Sequence, residues 1–412
     1  MRAKTIELMA PAGNFESLQS AIQAGANSVY FGVEQLNMRT KSTHNFTIDD
    51  LAEIVSRCSE NNVKSYLTLN TILYDHDIQL MKRIVDSAKE AGISAVIASD
   101  HAVLNYAKKI GQTVHISTQC NITNIDSVEF YANFADVMVL SRELSLLQVE
   151  TINKEIQRRE ITGPSGELIR TEIFGHGALC MAVSGKCYLS LHSNYSSANR
   201  GACVQNCRKS YIVTDKETGY ELEVDNEYIM SAKDLCTIDF LDKIIDAGVS
   251  VLKIEGRGRS ADYVYVTTKC YREAIDSIID DTYSQEKVIE WKEQLATVFN
   301  RGFWDGYYLG KLMGEWNDSD GSKATKRKVY VAKGRKFYDE VGAGEFLMEA
   351  QDLKVGDEIC ITGPTTGIIF STISELREEN KSVDIVKRGA LFTIKTPEKI
   401  RPSDKLYKFV EA

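Results

Sequence analysis

Four cysteines lie close together in one segment of this 412-residue chain: Cys180, Cys187, Cys203 and Cys207. Their spacing is Cys-x6-Cys-x15-Cys-x3-Cys, in a stretch rich in Gly, Ser and Asn. Four thiolates that converge on one point suit either a tetrahedral zinc ion or a cubane iron–sulfur cluster. Structural zinc sites favour cysteine pairs separated by about two to four residues. The wider first pair therefore favours iron–sulfur, and zinc stays open as the alternative.

The other five cysteines are scattered, and most are expected to be small buried apolar side chains. Cys236 is the exception, because it follows the segment closely in MSAKDLC and is a candidate substitute ligand.

The N-terminus MRAKTIELMAPAG lacks the features of a signal peptide, and no apolar run approaches the length of a bilayer span. We therefore expect a cytoplasmic protein with no membrane contact, where clustered thiols more often hold metal than form disulfides.

The elements that would position these cysteines follow a recurring pattern, a helix ending in Ala-Gly and then a short apolar strand. It occurs in QAGANSVYFG (23–32), EAGISAVIAS (90–99) and DAGVSVLKIEG (246–256). Glycine just past a helix is the usual left-handed cap. Apolar strands that alternate with helices are expected near residues 6, 29, 66, 96, 115, 138, 173 and 252. Eight such units predict an α/β fold, a TIM-type (β/α)8 barrel, with a doubly wound open sheet as the alternative.

The predicted barrel domain spans residues 1–311, and a Cys-rich insertion of about 163–228 interrupts it near the seventh strand. Residues 312–327 are polar and predict a linker. Residues 328–412 alternate polar and apolar positions between turn signals, which predicts a small all-β, barrel-like domain. A basic run that includes Lys326, Arg327 and Lys328 opens this domain, and it fits either a phosphate-binding patch or a solvated edge.

Function in TIM barrels gathers at the carboxyl ends of the strands. The polar residues predicted there include candidate substrate-binding side chains at Asn70, Gln119, Arg142, Arg257 and Arg259. Candidate catalytic residues are His176, Lys253 and Glu255. A mixed ring of charges suits a small anionic or polar substrate, although each residue taken alone is as well explained by an ordinary structural role.

Several stretches together resemble the peptidase U32 family, the collagenase-like peptidases. They are LMAPAG near the start, the cysteine segment in 172–211, SAKDL, LKIEGRGRS and FNRGFWDGYYLG (299–310). The sequence nevertheless contains no Gly-x-Ser-x-Gly elbow, no His-Glu-x-x-His and no convincing Cys–His pair.

The resemblance implies an RNA-modifying enzyme, since branches of this family hydroxylate tRNA uridine or ribosomal RNA cytidine, or act in ubiquinone synthesis. The closing Cys203-x3-Cys207 pair followed by Arg208 is most similar to the tRNA-hydroxylating branch. Carried over by position, the four clustered cysteines would hold a [4Fe-4S] cluster. The implied partners are tRNA, prephenate or another small carboxylate, and an electron-donor protein. The expected reaction is prephenate-dependent conversion of the tRNA wobble uridine to 5-hydroxyuridine.

Within this expectation, Lys253, Arg257 and Arg259 would hold the carboxylate, and Glu255 or His176 would handle protons. The basic run would contact the RNA backbone. Two other classes of function stay open: a collagenase-like peptidase, and a non-catalytic RNA-binding protein in which a structural zinc ion cross-links the insertion.

Overall fold

The computed structural model describes residues 6–40, 45–222, 230–311, 313–318 and 321–412. Residues 223–228 of the predicted insertion and residues 312, 319 and 320 of the predicted linker lie outside the described residues. Within the described ranges, no helix combines the length and the apolar character that are needed to cross a membrane.

Eight parallel strands form a closed barrel, as the sequence predicted. The first seven are β1 (Glu7–Pro11), β2 (Ser28–Phe31), β3 (Lys64–Leu69), β4 (Ala95–Ala98), β5 (Val114–Ile116), β6 (Val137–Val139) and β7 (Arg170–Ala178). After β8 (Val213–Thr214), β9 (Glu221–Leu222) and β10 (Asp234–Cys236), the eighth barrel strand is β11 (Val251–Ile254). Strand β11 pairs with both β1 and β7, which closes the ring and excludes the open-sheet alternative.

Helices cover the outside of the barrel. They are α1 (Phe15–Gln23), α2 (Leu51–Glu60), α3 (Ile78–Ala91), α4 (His101–Ile110), α5 (Ile125–Tyr131), α6 (Leu146–Arg158), α8 (Leu241–Asp246), α9 (Ala261–Ile279) and α10 (Gln285–Ala296), while α7 (Leu189–Asn194) lies in the inserted chain. The Ala-Gly pattern has the predicted geometry, because Gly25, Gly92 and Gly248 all have φ near +84° (85°, 83° and 84°). Each helix thus ends on a left-handed glycine and the chain turns directly into the next strand.

The inserted chain between β7 and β11 covers the carboxyl ends of the barrel strands. Strand β7 continues to Ala178, so the insertion begins after that residue and not at the predicted position 163. Arg200 donates to the carboxylate of Asp77 at 2.5 Å and to the carbonyl of Ile72 at 2.9 Å. A Cβ at Gly201 would stand 2.3 Å from the Asn37 carbonyl oxygen, so the two backbones are in direct contact. These contacts fasten the insertion to the loops after β2 and β3.

The described residues of the predicted linker contact the barrel. The amide of Asn317 donates to the carbonyl of Ser231 at 2.6 Å, and the amide of Lys233 donates to the carbonyl of Glu315 at 3.0 Å. The short strand β12 (Phe303–Trp304) pairs with β10 in the same region. Strand β13 begins at Lys326, so the predicted domain start at 328 falls inside a strand.

The C-terminal region consists of antiparallel sheets, in agreement with the all-β prediction. Its strands are β13 (Lys326–Tyr338), β14 (Ala343–Met348), β15 (Leu353–Lys354), β16 (Glu358–Gly363), β17 (Gly367–Thr372), β18 (Leu376–Glu378), β19 (Lys381–Val383), β20 (Ile385–Val386), β21 (Leu391–Lys395) and β22 (Lys405–Glu411). The main sheet has the order β17-β16-β22-β13-β14-β21-β18-β19. It encloses its own apolar core, in which the rings of Phe346 and Phe392 stack at 5.7 Å.

Candidate functional site

The four clustered cysteines line a single cavity at the carboxyl ends of the barrel strands, which we call the cysteine cavity. Cys180 follows β7, Cys187 lies just before α7, and Cys203 and Cys207 lie in the chain after it. All four are free thiols. The cavity offers about 160 Å³ to the centres of water-sized molecules and is also lined by predicted strand-end residues: Asn70, Gln119, Arg142, Lys253, Glu255 and Arg257.

The thiols are close enough to influence one another electrostatically. Burial raises the pKa of Cys207, the neighbouring Arg208 lowers it, and Cys180, Cys203 and Cys187 raise it again. Across the described part of the chain, no three His, Cys, Asp or Glu side chains are gathered tightly enough to hold one metal ion. The donor set is all cysteine, which suits an iron–sulfur cluster, where each thiolate binds a different iron and the sulfurs need not surround a single ion.

Glu255 lies at the wall of the cysteine cavity as part of a buried charged group. Its carboxylate accepts from Arg39 at 2.9 Å and from the hydroxyl of Tyr30 at 3.1 Å. Burial alone would raise the pKa of Glu255, but Arg39, Arg142 and Arg257 together lower it to about 2. Glu255 is therefore ionised at neutral pH, so it can accept a proton or anchor a cation but does not store a proton to donate.

Lys253 reaches the cavity from inside the barrel. Its ammonium lies 2.8 Å from the carboxylate of Glu172 and 4.4 Å from the centre of the Tyr30 ring. Both members of the pair are buried, Lys253 at 4% exposure and Glu172 at 0%. Burial raises the pKa of Glu172, and Lys253 opposes that shift. Because an unpaired charge is costly at this depth, each side chain fixes the position of the other.

The remaining predicted strand-end residue of β11, Arg257, is held by neighbours. Its guanidinium donates to Thr68 at 2.7 Å and to the side-chain oxygen of Asn37 at 3.1 Å. Burial lowers the pKa of Arg257 to about 10. Arg142 is placed differently: its guanidinium stacks 3.8 Å over the Phe174 ring, and its buried Nε has no hydrogen-bond partner. Arg142 is thus the more available of the two cations.

A second cavity adjoins the first and carries most of the arginines, and we call it the arginine cavity. It is lined by Arg39, Arg142, Arg208, Arg259 and Arg301 and shares Cys180, Cys203 and Cys207 with the cysteine cavity. The Arg259 guanidinium lies 3.5 Å over the Phe299 ring. The predicted carboxylate site on Lys253, Arg257 and Arg259 is therefore divided, since the first two residues line the cysteine cavity and the third lines this one.

Asn70 and Gln119 form part of the wall between the cysteine cavity and a third one, the outer cavity, which also reaches Cys187 and Tyr188. The Asn70 amide donates to the Ser117 hydroxyl at 3.1 Å, and its oxygen accepts from the amide of Met38 at 3.2 Å. Asn70 therefore has a structural role in joining loops. In contrast, the buried side-chain oxygen of Gln119 has no hydrogen-bond partner, so an acceptor is available at this wall.

His176 and Cys236 lie away from the cysteine cavity, outside the set of described residues that line it. The His176 ring packs between aromatic side chains, with Tyr271 at 5.4 Å and Phe303 at 5.7 Å. Burial and, to a smaller extent, the charge of Arg259 together lower the pKa of His176 to about 3. Cys236 pairs across the strands with His176, and burial raises its pKa to about 11. This placement argues against the predicted catalytic role of His176 and against Cys236 as a substitute ligand.

Part of the predicted basic run is paired with acidic neighbours. Lys328 pairs with Asp262 of the barrel at 2.5 Å, and Lys326 pairs with Glu358. Arg327 is exposed on the same strand. The two pairs tie the C-terminal sheet to itself and to the barrel, and phosphate binding by the run stays a prediction.

Two residues of the site, Arg39 and Glu172, were not predicted from the sequence. Arg39 belongs to no recognisable motif, and its partner Glu255 is 216 positions away, so nothing local indicates the pair. Glu172 could have been noticed, because a carboxylate in the buried part of a barrel strand needs a cation nearby.

Comparison with known proteins places the chain among two kinds of relatives. The model of peptidase family U32 matches residues 13–318. The chain is 56% identical over 409 residues to a collagenase of Porphyromonas gingivalis, with 99% of each chain covered. It is 31% identical over 415 residues to tRNA hydroxylation protein P1 of Bacillus subtilis, covering 98% of this chain and 95% of that protein.

A third relative, a 23S rRNA 5-hydroxycytidine synthase of Escherichia coli, is 31% identical over 361 residues, which is 85% of this chain and 52% of that protein. The family match covers most of the barrel together with the cysteine segment. Relatives of this chain therefore include both collagenase-named proteins and RNA hydroxylation proteins. The chain belongs to peptidase family U32.

Proposed function

We propose that this protein is an RNA-modifying enzyme that hydroxylates a pyrimidine at C5, with the tRNA wobble uridine as substrate and 5-hydroxyuridine as product. The observation that carries the proposal is the convergence of four free cysteines on one cavity at the carboxyl ends of the barrel strands. The relatives named for tRNA hydroxylation and for 5-hydroxycytidine synthesis support an RNA substrate.

Cys180, Cys187, Cys203 and Cys207 would hold a [4Fe-4S] cluster. When bound, such a cluster supplies one-electron redox chemistry, and its reduction potential depends on nearby charge and solvent exposure. Arg208 favours the thiolate form of Cys207, which is the form that ligates metal. Zinc remains the alternative occupant.

The arginine cavity would bind the small carboxylate co-substrate, for which prephenate is the candidate. Guanidinium groups bind carboxylates through paired hydrogen bonds. Arg142 has an unpartnered Nε and lines both the arginine and the cysteine cavity, so it suits a group that bridges them. Glu255 stays ionised and keeps Arg39 oriented. Lys253 lines the cysteine cavity, with its ammonium held 2.8 Å from Glu172, and would donate a hydrogen bond to a ligand there.

Peptide hydrolysis is the competing function, since the relative at 56% identity is named a collagenase. A cysteine peptidase needs a histidine beside its thiol. The described residues that line the cysteine cavity include four cysteines but no histidine. His101 lines the outer cavity together with Cys187, whereas Cys180, Cys203 and Cys207 line no described cavity that contains a histidine. The geometry therefore supports hydroxylation better than peptide hydrolysis.

The decisive experiment is mass spectrometry of nucleosides from the tRNA of a strain that lacks the gene. We expect 5-hydroxyuridine and its derivatives to fall, and to recover with the wild-type gene but not with Cys203→Ser. Cys58→Ala is the matched control, because Cys58 is a buried thiol that lines none of the three cavities. Cys120, a partly buried thiol, lines the outer cavity but not the cysteine cavity, so it serves only in the cofactor test below. Unchanged hydroxyuridine in the deletion strain, together with gelatin cleavage by the purified protein, would replace this proposal with the peptidase.

The cofactor is tested separately by anaerobic purification and by assays for iron, sulfide and zinc. We expect about four irons and four sulfides per chain in the wild-type protein. Cys203→Ser should lose most of the iron, whereas Cys120→Ser should keep it. One zinc per chain without iron would refute the redox part of the proposal.

A further inference from the structure

The outer face of the inserted chain exposes an unusual number of large apolar side chains. Among the described residues, eight of the exposed large apolar side chains lie in the range from Met181 to Val213, both included. A concentration of this kind on a soluble protein marks a surface that binds a partner. This surface reaches the cavities, because Met181 lines the cysteine cavity and Tyr188 and Leu191 line the outer cavity.

Two tyrosines at the ends of α7 are the most prominent members of this surface. Tyr188 precedes the helix and is 74% exposed, and Tyr195 follows it and is 94% exposed. Tyr195 has φ of 51°, a left-handed backbone that a bulky side chain rarely adopts. Glycine or asparagine would end this helix with less strain, so packing within the chain does not account for an aromatic ring there.

Tyr188 connects this surface to the interior. It lines the outer cavity, which shares Asn70, Gln119 and Cys187 with the cysteine cavity. The outer cavity offers about 370 Å³ to the centres of water-sized molecules. A polymer that places one unit in the cysteine cavity would therefore place the adjacent unit in the outer cavity, next to the Tyr188 ring.

The polar groups of the outer cavity suit a nucleotide. Gln119 contributes a buried side-chain oxygen that lacks a hydrogen-bond partner, and Lys186 contributes a cation. Asp100 lines the cavity too, but its carboxylate already accepts from the amides of Leu73 and Ala102, both at 2.9 Å. Its oxygens are therefore occupied by backbone groups, which reduces their repulsion of a phosphate.

We propose that the outer cavity holds the unpaired nucleobase adjacent to the one that is modified, stacked on Tyr188, while Gln119 accepts a hydrogen bond from a base N–H at the wall between the cavities. Unpaired bases in RNA loops are commonly recognised by stacking on aromatic rings and by hydrogen bonds to their edges. The inference rests on the proposed function, because it requires RNA as the substrate.

The test is fluorescence anisotropy of the purified protein with a labelled tRNA anticodon stem–loop. We expect Tyr188→Ala to weaken binding roughly 5- to 140-fold, the usual range for loss of one stacked base. Tyr188→Phe keeps the ring and should bind like the wild type. Tyr220→Ala is the matched control, because Tyr220 is 65% exposed on the β8–β9 turn and lines none of the three cavities.

The outcomes separate the inference from the proposed function. If the wild-type protein binds the stem–loop and restores tRNA hydroxylation in the deletion strain, but Tyr188→Ala does both equally well, the stacking inference alone is wrong. If the wild-type protein neither binds RNA nor changes tRNA, both proposals fail. If Tyr188→Ala instead impairs cleavage of a gelatin peptide, the outer cavity holds peptide and the inference is overturned.

Discussion

At the scale of single residues, the site is defined by charges that are buried and paired. Glu255 illustrates this, because three arginines keep it ionised in a place where burial alone would favour the neutral acid. Lys253 and Glu172 form a second such pair inside the barrel. Breaking a buried pair leaves one charge without compensation, and this usually costs more than the pair itself contributes.

Glu255→Gln should therefore lower the free energy of unfolding by about 3–5 kcal/mol at neutral pH. The folded-state pKa of about 2 lies below the ordinary value of 4.5. The stabilisation is thus fully present above about pH 5 and is lost as the pH falls toward 2. Urea unfolding of both proteins at neutral pH and at about pH 3.5 measures this, and the difference should shrink at the lower pH.

The control for this prediction is Glu155→Gln on α6. Hydrogen bonds from Arg158 and Arg159 also lower the pKa of Glu155 to about 2, but these groups are at the surface. Surface pairs contribute little because water screens them. An equal loss of stability in both variants would contradict the importance that we assign to burial.

At the scale of elements, the inserted chain depends on a few contacts with the barrel loops. Arg200 provides several of them, since it binds Asp77 and the Ile72 carbonyl and lies 4.2 Å over the Tyr74 ring. Between β7 and β8 the segment has one short α-helix and two single-turn 3-10 helices, so its backbone has little internal support. Its position over the cysteine cavity is therefore set by contacts of this kind.

Arg200→Ala should loosen the insertion and leave the barrel intact. Loss of partly buried hydrogen bonds to a charged group costs about 1–3 kcal/mol, so amide hydrogen exchange within residues 179–213 should accelerate roughly tenfold or more. Exchange in the barrel strands should stay unchanged. Arg158→Ala, which removes an exposed ion pair, is the control, and faster exchange throughout the chain in Arg200→Ala would contradict the prediction.

The barrel strands and the Ala-Gly caps could be predicted because both are local properties of the sequence. The eighth strand was found in the same way, although its pairing with β1 joins residues that are distant in the chain. The predicted insertion of about 163–228 overlaps β7, although a strand near residue 173 was itself predicted, because composition alone does not mark where the strand ends and the insertion begins. Nothing local identifies Arg39 as the partner of Glu255, and the neutral, buried state of His176 depends on rings from other elements.

At the scale of the whole molecule, the C-terminal sheet is joined to the barrel by specific contacts. The Gln23 amide of α1 donates to the Thr366 carbonyl at 3.0 Å, and its oxygen accepts from the amide of Ile368 at 3.0 Å. The Tyr265 and Phe370 rings meet at 5.4 Å across the same boundary. We call these contacts the joint between the C-terminal sheet and the barrel. They fix the sheet beside α1 and α9.

Gln23→Ala should weaken the joint by about 1–2 kcal/mol, because two hydrogen bonds are lost. We expect calorimetry to show the C-terminal sheet unfolding earlier and more separately from the barrel. Gln157→Ala, at an exposed position of α6, should leave the transition unchanged. A single undisturbed transition in Gln23→Ala would indicate that the apolar contacts alone maintain the joint.

The double pairing of β11 has a consequence for synthesis on the ribosome. Until Val251–Ile254 leaves the exit tunnel, β1 and β7 each lack their pairing with β11, so the nascent barrel is open between these two strands. Domains fold during translation in the order in which their parts emerge. All four clustered cysteines precede β11 in the chain, so the thiols emerge while the barrel is still open between β1 and β7. A ligand of the four cysteines can therefore bind before β11 closes the barrel.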